Sequence, residues 1–206
     1  MVKLSEGDLS STENRILDAA KKVFISKGFN GTSMQQIATE AGIHKSLLHY
    51  YFRSKDRLFT AVFEYAFQHF VPQIREILIS DASVSLKIER IINEYMDMLM
   101  QNEFIPSFIL HEINRDPDRL YGIMLHTGLN PSIFLDQFTI EKTRGNIKQV
   151  DPRHLLVNIL SLCVFPVAAR PLIQRVFFSN DNLAYNNFLR ERKSVVTKFI
   201  IQSIQV

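Results

Sequence analysis

Residues 111–115, His-Glu-Ile-Asn-Arg, open like the H-E-x-x-H zinc signature. In that signature two histidines one helical turn apart share a metal, and the glutamate activates its water. Arg115 stands where the second histidine belongs, so the ligand pair is missing. Residues 151–154, Asp-Pro-Arg-His, offer one carboxylate–histidine pair, whereas a metal site inside a helical bundle needs two such pairs and two further glutamates. The chain has neither a glycine-rich phosphate loop nor a G-x-S-x-G nucleophile turn. Its single cysteine, Cys163, lies in an apolar run where a thiol is ordinarily inert. One cysteine also builds neither an internal disulfide nor a cysteine zinc cage. The sequence argues against an enzyme, and no metal or cofactor is expected.

The chemistry left is that of charge and of side-chain tips. Residues 1–57 hold nine Lys/Arg against six Asp/Glu, while the other 149 residues hold fifteen of each. The whole net charge of +3 therefore sits in the first quarter of the chain, the footprint of a module that meets a polyanion. Short helices must position those charges. Ile16, Leu17, Ala20, Val23 and Phe24 recur on one helical face. Ser10 and Glu13 have the spacing of a capping box before it, and Gly28 follows as a helix stop. Thr32 and Gln35 form a second capping-box pattern. Then Ile37 and Ala38 precede Gly42, with Ile43 and Leu48 after it. Two short helices crossing steeply need a small residue at their closest approach, a glycine at the turn and apolar residues on the inner faces. Ala38, Gly42 and the Ile37, Ile43, Leu48 set meet those needs, so the second helix, over 44–51, is the one to lie in a DNA major groove. On spacing alone, a helical hairpin that binds nothing remains open.

The run Gly28-Phe29-Asn30-Gly31-Thr32-Ser33-Met34, then Ile37-Ala38, Ala41-Gly42-Ile43, Leu48, Tyr51-Phe52-Arg53-Ser54-Lys55 and Leu58, resembles the tetracycline-repressor (TetR) family of transcriptional regulators. The match covers about fifty residues, 15–63; beyond it the likeness is one of length and helical content. The resemblance implies an all-α fold: an N-terminal three-helix helix-turn-helix domain, here 10–57, and a larger helical ligand-binding and dimerisation domain, 58–206. It places Thr32 and Ser33 at a helix start that favours a phosphate. It aligns Lys45, Ser46 and Leu47 with base-reading positions, where Lys45 can donate to guanine and Leu47 offers only apolar contact. His49, Tyr50 and Tyr51 align with backbone-contacting positions. Arg53 is expected on a phosphate, as is Lys55, beside the helix start capped by Ser54. The sequence departs from the family at His44, where Ser or Thr is general, and at His49, where tyrosine is. His44 is a poor cap, and it is either a DNA contact or a solvent-facing group.

The rest of the chain reads as helices over 58–71, 85–101, 104–114, 118–126, 131–144, 152–178 and 183–204, with Pro72 kinking or ending the first of them. Large flexible and aromatic side chains accumulate there: Phe63, Phe67, Met96, Met100, Phe104, Phe108, Phe134 and Phe138, with Tyr95 and His111 as polar companions. They suit either an ordinary core or a pocket for a hydrophobic small molecule. Residues 155–169 are apolar nearly all round, and the last helix carries a broad apolar stripe. The resemblance assigns both to a homodimer interface, with Leu160, Val164, Val167, Leu189, Val196, Phe199 and Ile200 in it. An isologous dimer presents two recognition helices to a palindromic operator in double-stranded DNA.

Composition sets the outer bounds. The 206 residues are 46% hydrophobic and 22% charged, which supports a packed core. Seven Gly and seven Pro are too few for a turn-rich β fold. The 15-residue apolar stretch is shorter than the ~20 residues that span a bilayer, so no membrane partner and a cytoplasmic location are expected. The function expected from all this is a sequence-specific DNA-binding regulator, a homodimeric repressor released by a ligand. The alternatives are a small-molecule receptor or interaction dimer without DNA binding, and a DNA-binding activator.

Overall fold

The computed structural model describes residues 6–128 and 130–205, apart from the side chains of residues 6–10, 69, 107, 108, 111, 112, 115 and 119. The described residues form eleven helices and no strand: α1 (Glu6–Gly31), α2 (Met34–Glu40), α3 (Lys45–Tyr51), α4 (Lys55–Ile79), α5 (Val84–Gln101), α6 (Ile105–Arg115), α7 (Pro117–His126), α8 (Pro131–Thr143), α9 (Pro152–Ala168), α10 (Arg170–Phe178) and α11 (Asn182–Ile204). They divide into two compact units, one of residues 1–68 and 107–123, the other of 69–106 and 124–206.

The first unit is built on the apolar face read from the sequence. Ile16, Ala20 and Phe24 of α1, Ile37 and Ala38 of α2, Leu48 of α3 and Leu58 and Val62 of α4 are all buried. A wholly buried leucine such as Leu48 is worth about 2–5 kcal/mol against alanine, so α3, only seven residues long, is held by tertiary packing rather than by its own propensity. In the second unit, α5 lies against α9 and α11, and α8 against α9. Ile88, Ile92, Met96 and Leu99 of α5 are buried, as are Ile159 and Cys163 of α9 and Tyr185, Leu189 and Ile200 of α11. Polar ties cross this core. Lys87, itself buried, donates from Nζ to the Leu78 carbonyl at 2.8 Å and to Gln137 Oε1 at 2.9 Å. The Tyr185 hydroxyl donates to the Pro166 carbonyl at 2.6 Å. Lys193 pairs with Asp97, and Arg170 with Glu103.

Four local expectations need correction. The first helix begins at Glu6, so Ser10 and Glu13 lie inside it and do not cap it. The second capping box is one residue later than expected: Gln36 N–H donates to Ser33 Oγ, and Ser33 N–H to Gln36 Oε1. Thr32 cannot cap because its hydroxyl is turned inward. Pro72 does not end α4, which continues to Ile79. The ring removes one hydrogen bond, and the buried apolar neighbours Phe70, Val71 and Leu78 keep the helix packed. The single helix expected over 152–178 breaks at Ala169, and α10 leaves α9 at 72°. Pro171 is the cause: it cannot donate to Val167, but it suits the first turn of a new helix. Among the described residues no single helix is long and apolar enough to cross a membrane.

Asp151 caps α9, accepting from Arg153 N–H at 2.8 Å, and the Arg153 guanidinium bonds both its oxygens. These bonds lower its carboxyl from 3.8 to about 2. Because the folded value is the lower one, the cap's contribution is complete above about pH 4 and is lost as pH falls toward 2. NMR titration is expected to show Asp151 protonating near pH 2, and Arg153→Ala to move that midpoint upward.

Candidate nucleic-acid interface

The α2–α3 pair is launched and stopped by backbone geometry. Ser33, extended at φ −116°, closes its capping box onto α2. Gly42 turns the chain at φ +64°, a conformation that a side chain would strain, and Ile43 N–H donates back to the Ala38 carbonyl. Two cations pin this pair to its neighbours. Arg15 of α1 donates from Nη2 to the Ala41 carbonyl at 2.9 Å, capping the end of α2. Lys55, the first residue of α4, donates to the Phe29 and Thr32 carbonyls at 2.8 and 2.9 Å. Its ammonium also lies 4.3 Å from the centre of the Phe29 ring. Phe59, one turn along α4, packs on Phe29 and Phe24 with ring centres 4.7 and 4.5 Å apart. An aromatic cluster and one ammonium thus fasten α4 to the turn before α2.

With its buried face fixed by Leu48, α3 presents the other side outward. His44, Lys45, Ser46 and Tyr50 are exposed, Tyr50 at 71%, and Leu47 and His49 are half-buried. Arg53 is exposed just beyond the helix. His44 occupies the cap position of α3 without a side-chain cap hydrogen bond, so its imidazole remains an outward-facing group. Lys45 offers a mobile cation, Ser46 a donor and acceptor, and Tyr50 a hydroxyl on a stiff ring set edge-on to Tyr51. This set can meet phosphates and base edges together.

Three residues expected on DNA are placed otherwise. Thr32 is buried, its hydroxyl donating to the Gly28 carbonyl at 2.7 Å, so it offers no side chain to a phosphate. Tyr51 directs its hydroxyl into the protein, buried and without a partner. Lys55 spends two of its three N–H donors on the Phe29 and Thr32 carbonyls, so its ammonium is engaged within the protein. Phe59 escaped the sequence reading, and Arg15 and Phe29 entered it without a positioning role. Arg15 and Ala41 are 26 residues apart, as are Phe29 and Lys55, and no local pattern announces such pairs.

The expected ligand residues fall in both units. Phe63 and Phe67 of the first stack with ring centres 4.3 Å apart. In the second, Phe134 and Phe138 stack at 4.2 Å, and Tyr95 meets Phe70 at 5.7 Å. Tyr95, Met96 and Phe104 are buried there and Met100 is half-buried. Burial raises the Tyr95 phenol and pushes the Cys163 thiol up to about 12, so both stay protonated. The side chains of Phe108 and His111 lie outside the described residues. Of the expected dimer positions, Val167, Leu189, Val196 and Ile200 are buried within their own unit. On a helix apolar nearly all round, as α9 is, or on a stripe as broad as that of α11, the sequence does not reveal which side faces inward. Leu160 and Phe199 are exposed and Val164 is half-buried.

Residues 16–62 match the family described as bacterial regulatory proteins, tetR family. Over 181 residues the chain is 25% identical to a Bacillus subtilis protein described as a probable HTH-type transcriptional regulator, YttP, covering 85% of this chain and 86% of that one. It is 26% identical over 215 residues to the HTH-type transcriptional regulator RutR of Escherichia coli, covering 96% and 92%. A crystal structure of the transcriptional regulator FadR from Bacillus subtilis, in complex with stearoyl-CoA, shares the fold at a TM-score of 0.71 and 18% identity, over 93% of this chain and 99% of that one.

Ser33→Ala is expected to cost about 1 kcal/mol by removing the capping box. Thr32→Val is expected to cost a similar ~1 kcal/mol by removing a buried hydrogen bond. Thermal unfolding of the two variants checks both values, and Ser33→Asp, which retains the cap, is expected to lie near the wild type.

Proposed function

We propose that this chain, which belongs to the tetR family of bacterial regulatory proteins, is a homodimeric repressor that binds a palindromic operator and is released by a small apolar ligand. The observation that carries the DNA part is α3: a short helix clamped by buried Leu48, with His44, Lys45, Ser46 and Tyr50 turned outward together. Phosphate contacts fall to Arg53, Ser33, His49 and Tyr50, which set register. Base reading falls to Lys45, Ser46 and Leu47, with Lys45 toward guanine O6 and N7 and Leu47 toward a thymine methyl.

Dimerisation is supported by the exposed apolar side chains of α9 and α11, among them Leu160 and Phe199. A two-fold axis there gives two recognition helices a turn of DNA apart, or a multiple. The phenylalanine and methionine side chains of the second unit, and a structural neighbour that holds stearoyl-CoA, support a long apolar ligand. Tyr95, buried among these side chains, supplies a polar tip for such a ligand. Ligand and operator each favour a different state of the dimer, so each weakens the other's binding by the same factor.

Selection of sites from a random duplex pool tests this reading: one enriched palindrome is expected, and folded protein that enriches nothing overturns it. Repeating the selection with Lys45→Ala is expected to relax one or two base positions in each half-site, at about 1–3 kcal/mol of lost discrimination. Arg53→Ala is expected to weaken all sequences alike.

A further inference from the structure

Two imidazoles on α3 are left unused by the protein itself. His44 is exposed where the helix begins and makes no cap bond, and His49 is half-buried in its last turn. Neither ring has a hydrogen bond or an ion pair among the described residues. This sets them apart from their neighbours. Arg15 and Lys55 are held on carbonyls, the Tyr51 hydroxyl is turned inward, and Thr32 is buried.

Position decides what the two rings can meet. Leu48 fixes the buried side of α3. Residues four apart share one side of a helix, so His49 stands with exposed Lys45. His44 stands at the end of α3 from which a recognition helix reaches base edges. Its ring is spared for that contact, because it does not cap the helix.

The charges on α3 and on the elements that flank it hold no anion for these rings. On α3 itself stand Lys45 and the phenols of Tyr50 and Tyr51, and Arg53 follows it. Helix α1 sends Arg15 to the Ala41 carbonyl. Helix α2, packed against α3, has one carboxylate, Glu40, which pairs with Lys22 at 3.5 Å. Helix α4 opens with Lys55, Asp56 and Arg57, and none of these is bonded to either imidazole. A partner for the two rings has to come from outside, and DNA is a row of anions.

A neutral imidazole has one donor, whereas the imidazolium has two and a charge. A phosphate within about 4–6 Å favours the charged form. We propose that operator binding is proton-linked: His49 takes up a proton from solvent as it meets a phosphate, and His44 takes up another at the acceptor-rich edge of the major groove. The inference rests on the DNA reading proposed above and adds a pH dependence to it. Because the bound state holds these protons more tightly, binding strengthens as pH falls. The gain is lost as pH rises through the range where histidine changes charge, about pH 5 to 8.

Fluorescence anisotropy of the full chain on the selected operator, from about pH 8 to about pH 5.5 at constant salt, tests it. The dissociation constant is expected to fall about tenfold for each histidine. The His44→Gln/His49→Gln chain is expected to lose that dependence with helical circular dichroism unchanged. A wild-type affinity that ignores pH, or a dependence that survives in the double variant, overturns the inference while the DNA reading stands. Folded chain that selects no operator overturns both. Calorimetry of the wild-type chain in two buffers of different ionisation heat needs no substitution. Uptake on the order of one proton per chain near pH 7 is expected on operator binding, and no uptake overturns the inference.

Discussion

One ammonium fixes the geometry of the first unit. Lys55 holds the carbonyls of Phe29 and Thr32 and sits over the Phe29 ring. Those two carbonyls lie between the break at Gly28 and the cap at Ser33. The Phe29 carbonyl already accepts from the Thr32 N–H at 3.3 Å, and the cation brought from α4 adds a shorter, charged bond to it and one to the Thr32 carbonyl. The attraction is stronger than that of a neutral donor and has a fixed direction, because the stem of Lys55 is anchored in the first turn of α4. The start of α4 and the start of α2 therefore move as one piece.

Arg15 does the same at the other end of α2, taking the Ala41 carbonyl just before Gly42 reverses the chain. Helix α2 is seven residues long, too short to persist alone, and it is held at both ends by charged donors from longer helices. With α2 immobilised and Leu48 buried, α3 has no freedom to roll. Its outer residues keep a fixed orientation, which is the condition for reading base edges within about 0.5 Å. On the proposed reading, binding specificity is thus prepared by residues that do not face the DNA.

The legible part of this fold was the part written in local spacing. Ile37, Ala38, Gly42 and Leu48 lie within twelve residues, and burial of all but the turn glycine follows from their pattern. The illegible part was long-range or rotational. Lys55 reads as a free cation beside a helix start, and only the folded chain brings it to carbonyls 23 and 26 residues away. Thr32 and Ser33 both fit a cap, and the choice between them turned on which hydroxyl found the Gly28 carbonyl. Helix α9 is apolar over most of its circumference and α11 carries a broad apolar stripe, so Val167 and Leu189 face inward while Leu160 and Phe199 face out for reasons set by α5 and α8. The break at Ala169 had a visible cause in Pro171, but the apolar run across it masked the stop.

The salt dependence of DNA binding by Lys55→Gln tests the central claim most directly. A residue on a phosphate displaces counterions, and losing it lowers the slope of log K against log salt by about one. A positioning residue releases none. The expected result is weaker binding with the wild-type slope, alongside an Arg53→Ala control whose slope falls by about one. A Lys55→Gln slope reduced like that of Arg53→Ala would put the ammonium on the DNA and contradict the account.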